Sequence, residues 1–265
     1  MNAEVGAREL YESLAEGDRA YASWLDRARG GYPDRLAAAA EYRPWWTAPD
    51  GQALLWELYA LSRVGDLLLL SERDCLDLFV PLGMTPFRGG DFDPFLHEIV
   101  EVEQAADPHA PIEITEVVRP GLMLGQLLFN RAGVRVRAGV EHAQRGVADR
   151  SPLYWTFRRP HRPTVDLSHG WGHNSQWRTD FRLDYRTPAG DRLNAAENGA
   201  IDGDPGLDPD HPSHLSPQER LLTPGERREL LRHRCLLRVP RAADALAGSP
   251  GWERDLMPFG WRLPQ

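Results

Sequence analysis

The chain has 265 residues and a formal charge of −8, and all 31 of its basic residues are arginine. The absence of lysine excludes sites that need a lysine ammonium, such as a P-loop nucleotide site, a pyridoxal phosphate Schiff base or a Ser-Lys dyad. The acidic balance argues against a dedicated nucleic-acid binder, because phosphate neutralisation needs a basic surface. Histidine, carboxylate and arginine are therefore the groups expected to carry chemistry.

The sequence predicts a soluble cytoplasmic protein without a membrane partner. The N-terminus has no basic region followed by an apolar run, and the apolar stretch around residues 67–70 is too short to span a bilayer. Cys75 and Cys235 lie far apart and match no metal-type spacing, which favours a reducing compartment, although one disulfide is also compatible with this pattern.

Residues 1–90 are predicted to be mainly helical. Apolar side chains recur there at three- and four-residue spacing, with charged residues between them. Ser71 followed by Asp74 resembles a capping box, in which the first side chain accepts from the third backbone N–H of the helix. This pattern predicts a short helix that begins after Ser71 and ends at Pro81.

Residues 91–190 are predicted to form a mainly antiparallel sheet of five to six strands, because the hydrophobic period changes to two. The first two strands are expected to pair as a hairpin, and the third, almost wholly apolar, is expected to be covered on both faces. The predicted strands are residues 95–103, 111–118, 122–129, 134–137, 153–157 and 177–186.

The last of these strands alternates apolar and charged side chains. Its charged side is predicted to be a solvated sheet face, and the alternative is the floor of a polar cavity that holds a charged ligand. The charged residues are Arg178, Asp180, Arg182, Asp184 and Arg186.

The remaining segments predict an acidic Gly/Pro-rich loop over residues 191–216, either flexible or a lid, and a helical tail over residues 217–265. The order of the segments predicts a single α+β domain over residues 1–265. In this domain the N-terminal helices would pack on the antiparallel sheet, with further helices at the C-terminus.

Three histidines are candidate metal ligands. His169 and His173 flank the Gly-Trp-Gly turn around Trp171, and His97 precedes Glu101 on a predicted strand with both side chains on one face. A two-histidine, one-carboxylate set of this kind binds Fe, Cu or Zn and leaves positions open for substrate. The alternatives are that one or both of His169 and His173 are hydrogen-bonded loop residues, and that the glutamates of the strand pair with arginines such as Arg135 and Arg137.

Other residues are candidates for substrate binding or catalysis. His97 and Glu101 are the predicted catalytic groups, as a general base with or without a metal. Arg178 and Arg182 are predicted to anchor an anionic substrate, and Trp171 is predicted to contact it. The run Arg158-Arg159-Pro160-His161-Arg162 is either an anion clamp or solvated surface.

The segment from Asp166 to Tyr185, with Ser168-His169-Gly170-Trp171-Gly172 and Asn174-Ser175-Gln176-Trp177, resembles a segment of uncharacterised actinobacterial proteins. The strand over residues 95–102 and the region 131–139 are similar as well. The resemblance implies a bacterial origin and carries no activity, cofactor or fold.

The sequence thus favours a bacterial cytoplasmic enzyme that acts on a small, anionic molecule at a pocket at the mouth of the sheet. A transition metal is the expected cofactor in one version and is absent in a second, which relies on general acid–base catalysis alone. The alternative is a non-catalytic binding, immunity or accessory protein that uses tryptophan and arginine as interface anchors.

Overall fold

The computed structural model describes residues 6–15, 21–67, 71–150, 181–197, 199–201, 221–248 and 259–264. Its contacts divide the chain into two interleaved compact units. Unit 1 comprises residues 1–87, 122–130 and 155–181, and unit 2 comprises residues 88–121, 131–154 and 182–265. The sequence predicts one domain, and each unit is described by itself below. Helices and mainly antiparallel strands confirm the predicted α+β class.

Within these ranges the helices are α1 (Ala7–Ala15), α2 (Tyr21–Ala28), α3 (Tyr32–Ala37), α4 (Gly51–Leu67), α5 (Glu72–Phe79), α6 (Pro224–His233) and α7 (Pro240–Gly248). The strands are β1 (Thr85–Phe87), β2 (His97–Gln104), β3 (Glu113–Arg119), β4 (Gly121–Leu124), β5 (Leu127–Asn130), β6 (Ala132–Ala138), β7 (Tyr185–Thr187), β8 (Gly190–Leu193), β9 (Gly199–Ala200) and β10 (Phe259–Leu263). No helix in the described ranges has the length and apolar character needed to cross a membrane.

The helices α1 to α5 confirm that the first 90 residues are mainly helical. The Ser71 hydroxyl accepts a hydrogen bond from the backbone N–H of Asp74 (3.2 Å), so Ser71 is the N-cap of α5 as predicted. The helix ends at Phe79, two residues before the predicted end. Inside unit 1, Glu57 of α4 accepts hydrogen bonds from the Ala7 N–H (2.9 Å) and the Tyr32 hydroxyl (2.7 Å), which ties three helices together.

Unit 1 also contains β1, β4 and β5, in that spatial order. The single strand predicted for residues 122–129 is wrong, because the chain reverses at Gly125 and forms the antiparallel pair β4–β5. Gly125 has a φ of 57°, and a Cβ atom there would lie 2.6 Å from the Ala40 carbonyl oxygen. Only glycine fits both the positive φ and the close approach.

Unit 2 contains a three-stranded sheet in the order β2-β6-β3. The hairpin predicted between the first two strands is wrong, because β6 lies between them, parallel to β2 and antiparallel to β3. The alternation predicted for residues 134–137 is confirmed, since Val134 and Val136 are buried while Arg135 and Arg137 are exposed. In the central position both edges of β6 are paired with neighbouring strands, so its backbone N–H and C=O groups have hydrogen-bond partners.

The other strands of unit 2 follow the order β7-β8-β10-β9. The strands β7 and β8 form a hairpin, and β10 pairs antiparallel with β8 and parallel with β9. The predicted loop over 191–216 contains most of β8 and all of β9, and the predicted helical tail over 217–265 contains α6, α7 and also the strand β10. Helix α6 begins with a capping box in which the Thr223 and Glu226 side chains each accept from the other's backbone N–H.

Several sequence predictions fall on residues outside the described ranges. These are the strand over 153–157, the run over 158–162, the first four residues of the strand over 177–186, and residues 202–216 of the acidic loop. Cys75 and Cys235 are both buried, and neither forms a disulfide.

Candidate functional site

The structure describes three of the predicted site residues: His97, Glu101 and Arg182. Four others, His169, His173, Trp171 and Arg178, lie outside the described residues, and their roles stay predictions. Among the described residues, no group of three or more His, Cys, Asp and Glu side chains is arranged to hold a metal ion.

His97 is buried, with both ring nitrogens bonded to backbone groups. Its Nδ1 accepts from the Asp93 N–H (3.0 Å) and its Nε2 lies 3.1 Å from the Arg88 carbonyl oxygen. Since a carbonyl only accepts, the proton must sit on Nε2. Burial lowers the pKa of His97 and outweighs the Arg88 carbonyl and the Asp93 charge, which raise it. In this tautomer neither nitrogen is left for a metal or for proton transfer, so the structure does not support His97 as a ligand or base.

The prediction that His97 and Glu101 share one face of a strand is wrong because β2 contains a β-bulge. Its register along β6 shifts between Ile99 and Glu101, so Val100 is an extra residue without a partner in the ladder. A one-residue shift reverses the side chains that follow. His97 and Ile99 are therefore buried, whereas Glu101 is exposed.

The exposed glutamates of β2 form ion pairs along the neighbouring strand, as the alternative interpretation of the sequence expects. Glu101 accepts from Arg135 (2.9 Å) and Glu103 from Arg137 (2.9 Å). Arg135 also contacts Glu116 of β3. These side chains are about half exposed, and exposed pairs of this kind contribute little to stability. Glu101 is thus a member of a surface ion-pair ladder and has no partner that would make it a general base.

The polar centre of unit 2 is a buried ionic cluster around Asp184. The cluster, called the Asp184 cluster below, contains three guanidinium groups and two carboxylates, each from a side chain no more than 4% exposed. Its members come from β2, from the residue before β6, from the segment before β7 and from the end of α6. They are Glu98, Arg131, Arg182, Asp184 and Arg234.

Asp184 receives contacts on both carboxylate oxygens. Its Oδ2 lies 3.1 Å from an Arg234 nitrogen and 3.4 Å from an Arg131 nitrogen, and its Oδ1 accepts from the Asn194 N–H (2.8 Å). Burial raises the pKa of Asp184, but the positive charges of Arg234, Arg182 and Arg131 outweigh that effect and hold it below its ordinary value. Asp184 is therefore a buried, ionised carboxylate at neutral pH.

Two residues that bond to Asp184 have left-handed backbone conformations. Asn194 has a φ of 52° and Arg234, the C-cap of α6, has a φ of 62°. Asparagine tolerates this region, whereas an arginine there costs about 1–2 kcal/mol. Such strain persists only where surrounding contacts enforce it. The ion pair of Arg234 with Asp184 is such a contact.

The interpretation of the strand over 177–186 as a solvated sheet face is wrong for Arg182 and Asp184. Residues 181–184 form no regular strand, and Arg182 and Asp184 are buried. Burial lowers the pKa of Arg182 to about 10, so this side chain remains charged at neutral pH. The sequence predicted Arg182 as an anchor for an anionic substrate but did not predict Asp184, Arg131 or Arg234 as site residues. Alternation of apolar and charged residues does not show whether a charged side chain is exposed or buried, so the sequence pattern gave no indication that these three residues are buried together.

A pocket of about 400 Å³ lies beside this cluster in unit 2. It is called the Arg186 pocket below, and its volume is typical of small-molecule sites. The pocket shares its Pro94–Phe95 wall with the cluster, because Arg131 donates to the Pro94 carbonyl (3.1 Å) and lies 6.0 Å from the Phe95 ring centre. The lining residues are Asp93, Pro94, Phe95, Arg186, Asp191, Leu193, Arg232, Leu263 and Pro264.

Arg186 organises the polar wall of this pocket. It donates two hydrogen bonds to Asp191 (both 2.9 Å) and one to Asp93 (2.6 Å), and its guanidinium lies 4.5 Å from the Phe95 ring centre. The bonds to Asp191 raise the pKa of Arg186 above its ordinary value despite partial burial, and the bond to Asp93 adds to the increase. The result is a rigid acidic triad of two carboxylates and one guanidinium.

Comparison with protein-family models, curated proteins and solved structures finds no match to the chain. The expectation of a protein-binding surface built on tryptophan stays a prediction. In unit 1, Trp56 of α4 is 49% exposed.

Proposed function

We propose that unit 2 binds a small zwitterionic molecule with an apolar body, such as an apolar amino acid, in the Arg186 pocket. The proposal refines the anionic ligand expected from the sequence. It keeps a carboxylate on the ligand and adds an ammonium group.

The observation that carries the proposal is the distribution of charge on the pocket wall. The triad of Asp93, Arg186 and Asp191 has one negative charge in excess, and its carboxylates are 31% and 19% exposed. A carboxylate oxygen can accept two hydrogen bonds, so these groups have capacity for N–H donors from a ligand. Arg232 is exposed and has no ion-pair partner among the described residues. The wall therefore offers one acidic and one basic contact.

The rest of the lining is apolar. Phe95, Leu193 and Leu263 present carbon surface, together with the two prolines Pro94 and Pro264. Burial of a hydrocarbon body against this surface supplies affinity, while the two charged contacts fix the orientation of the ligand. An apolar amino acid combines these features in a molecule that fits the volume.

Four related probes test the proposal by isothermal titration calorimetry with the full chain: L-phenylalanine, L-phenylalaninamide, 3-phenylpropanoate and 3-phenylpropanamide. They share the phenyl body and differ in which charge they carry. We expect phenylalanine to bind most tightly, with a loss of about tenfold for each charge removed, which corresponds to about 1.4 kcal/mol. Equal affinity of all four probes would contradict the proposal.

The Arg232→Gln variant tests the carboxylate contact. It is expected to weaken phenylalanine and 3-phenylpropanoate about tenfold and to leave phenylalaninamide unchanged, because only the first two carry a carboxylate. Arg241→Gln is the matched control, since Arg241 is an exposed arginine of unit 2 outside the pocket. A uniform loss for all probes, or no loss for any, would assign the carboxylate to another residue.

Catalysis by His97 and Glu101 is not part of this proposal, because neither residue lines the pocket. The proposed activity is recognition. Conversion of a bound probe is detected in the same samples by following its proton NMR spectrum with time.

A further inference from the structure

Counted over the described residues, the Asp184 cluster has one positive charge in excess. Its three arginines stay protonated in a protein, and its two carboxylates, Asp184 and Glu98, supply only two negative charges. The charge of Asp93 also attracts Arg131, but Asp93 forms an ion pair with Arg186 and is therefore not counted in the cluster. A buried charge without a counter-charge is costly, because the interior solvates ions poorly.

Arg182 is the arginine of the cluster whose guanidinium has the fewest hydrogen bonds with the described residues. All three of its guanidinium nitrogens are buried, and within the described part of the chain none has a hydrogen-bond acceptor. The two terminal nitrogens of Arg131 also lack a hydrogen bond there, and one of them is 3.4 Å from Asp184. The two guanidiniums repel each other, which is one of the effects that lower the pKa of Arg182.

Arg182 and Arg131 thus place unsatisfied N–H donors and an uncompensated cation in the same buried cluster. Native proteins leave very few buried polar groups without a partner, and such groups often mark a bound ion. An acceptor that carries one negative charge would satisfy the donors and neutralise the cluster.

We propose that the Asp184 cluster is an internal binding site for one small monovalent anion of chloride size, held by Arg182 and Arg131. The valence follows from the single excess charge. A small anion is proposed because the surrounding charged side chains are no more than 4% exposed, which leaves no opening for a large one. A divalent anion would leave a buried negative charge and would lose much more hydration. Arg131 contacts Pro94 and Phe95, but neither Arg131 nor Arg182 lines the proposed zwitterion pocket, so the two sites are distinct.

Thermal unfolding of the full chain in sodium chloride tests the site, with ionic strength held constant by sodium gluconate, whose anion is too large to be enclosed. We expect the Tm to rise with chloride and then to saturate, by about 5 °C once chloride is well above its dissociation constant. The same Tm in chloride and in gluconate would overturn the proposal.

The Arg182→Met variant removes the proposed anchor and its charge, and its Tm should become independent of chloride. Arg227→Met is the matched control, because Arg227 is an equally buried arginine of unit 2 that packs on the Phe259 ring (4.4 Å) outside the cluster. The control should keep the chloride response. If Arg182→Met responds like the wild type, Arg182 is not the anchor and the proposal is wrong.

Bromide provides a direct measurement that does not depend on the folding of a variant. Crystals of the wild-type protein grown in sodium bromide should show an anomalous peak in contact with the Arg182 guanidinium. Absence of a peak there, with peaks on surface arginines only, would refute the internal site. The Arg232→Gln variant should retain the full chloride response, so failure of the pocket proposal and failure of the anion proposal are distinguishable.

Discussion

Replacing Asp184 with asparagine removes the central carboxylate of the Asp184 cluster while keeping its shape. The Oδ1 atom can still accept from the Asn194 N–H, so the main loss is the negative charge that faces Arg234 (3.1 Å) and Arg131 (3.4 Å). Breaking a buried ion pair by removing one partner costs about 3–5 kcal/mol. Because two guanidiniums lose their partner, we expect a loss of about 4 kcal/mol, a large share of a typical stability of about 5–15 kcal/mol.

Urea unfolding followed by far-ultraviolet circular dichroism measures this loss, and hydrogen exchange should localise it to peptides of unit 2. Glu103→Gln is the control, because it also removes a carboxylate from an arginine but at an exposed pair, where about 0.2–1 kcal/mol is expected. If Asp184→Asn unfolds within about 1 kcal/mol of the wild type, the guanidiniums are not balanced by Asp184 and the reasoning about the cluster is wrong.

The pH dependence of the same pair of proteins provides an independent check. The pKa of Asp184 is lowered in the folded state relative to its ordinary value of 3.8. The stabilisation by Asp184 is therefore fully present above the unfolded-state pKa and is lost as the pH falls through the lower folded-state pKa. The difference between the wild type and Asp184→Asn should be constant near neutral pH and should shrink only below about pH 4.

Two further predictions concern other parts of the molecule. Burial, together with the charges of Arg232 and Arg131, lowers the pKa of His233 from 6.5 to about 4. Between these two pH values the unfolded chain binds a proton at His233 that the folded protein does not. The free energy of unfolding should therefore fall by about 3 kcal/mol as the pH drops from 7 to 4. His233→Gln should flatten that slope in urea titrations at several pH values, and an unchanged slope would assign the proton to another group. Gly125→Ala should destabilise unit 1 by about 2 kcal/mol or more, because alanine is strained at positive φ and its Cβ would lie 2.6 Å from the Ala40 carbonyl oxygen. Wild-type stability of this variant in urea unfolding would contradict the prediction.

Much of the fold follows from local patterns in the sequence. The helical N-terminal region, the Ser71 cap of α5 and the alternation of β6 depend on neighbouring residues, and each is predicted correctly. Pairing of the strands does not follow from such patterns. The predicted hairpin between β2 and β3 is replaced by an order with β6 in the centre, because local periodicity does not state which strand lies beside which.

The candidate site shows the same limit at the level of single side chains. The bulge at Val100 reverses the faces of β2 and separates His97 from Glu101, although the sequence alternates as a regular strand would. A bulge depends on how two strands meet, so one strand alone cannot reveal it.

The sequence by itself determined which types of side chain are available for chemistry. It contains no lysine, which leaves histidine, carboxylate and arginine, and it predicted Arg182 as a candidate anion anchor. Only the tertiary structure decided which of these groups are buried together. Arg131 and Arg234 are distant in the chain, yet both contact the Asp184 carboxylate because the residue before β6, the segment before β7 and the end of α6 converge in unit 2. Enclosure matters because an ion pair of arginine contributes little to stability at a solvated surface. In the protein interior, where the dielectric constant is lower, the same charge interacts much more strongly with its neighbours.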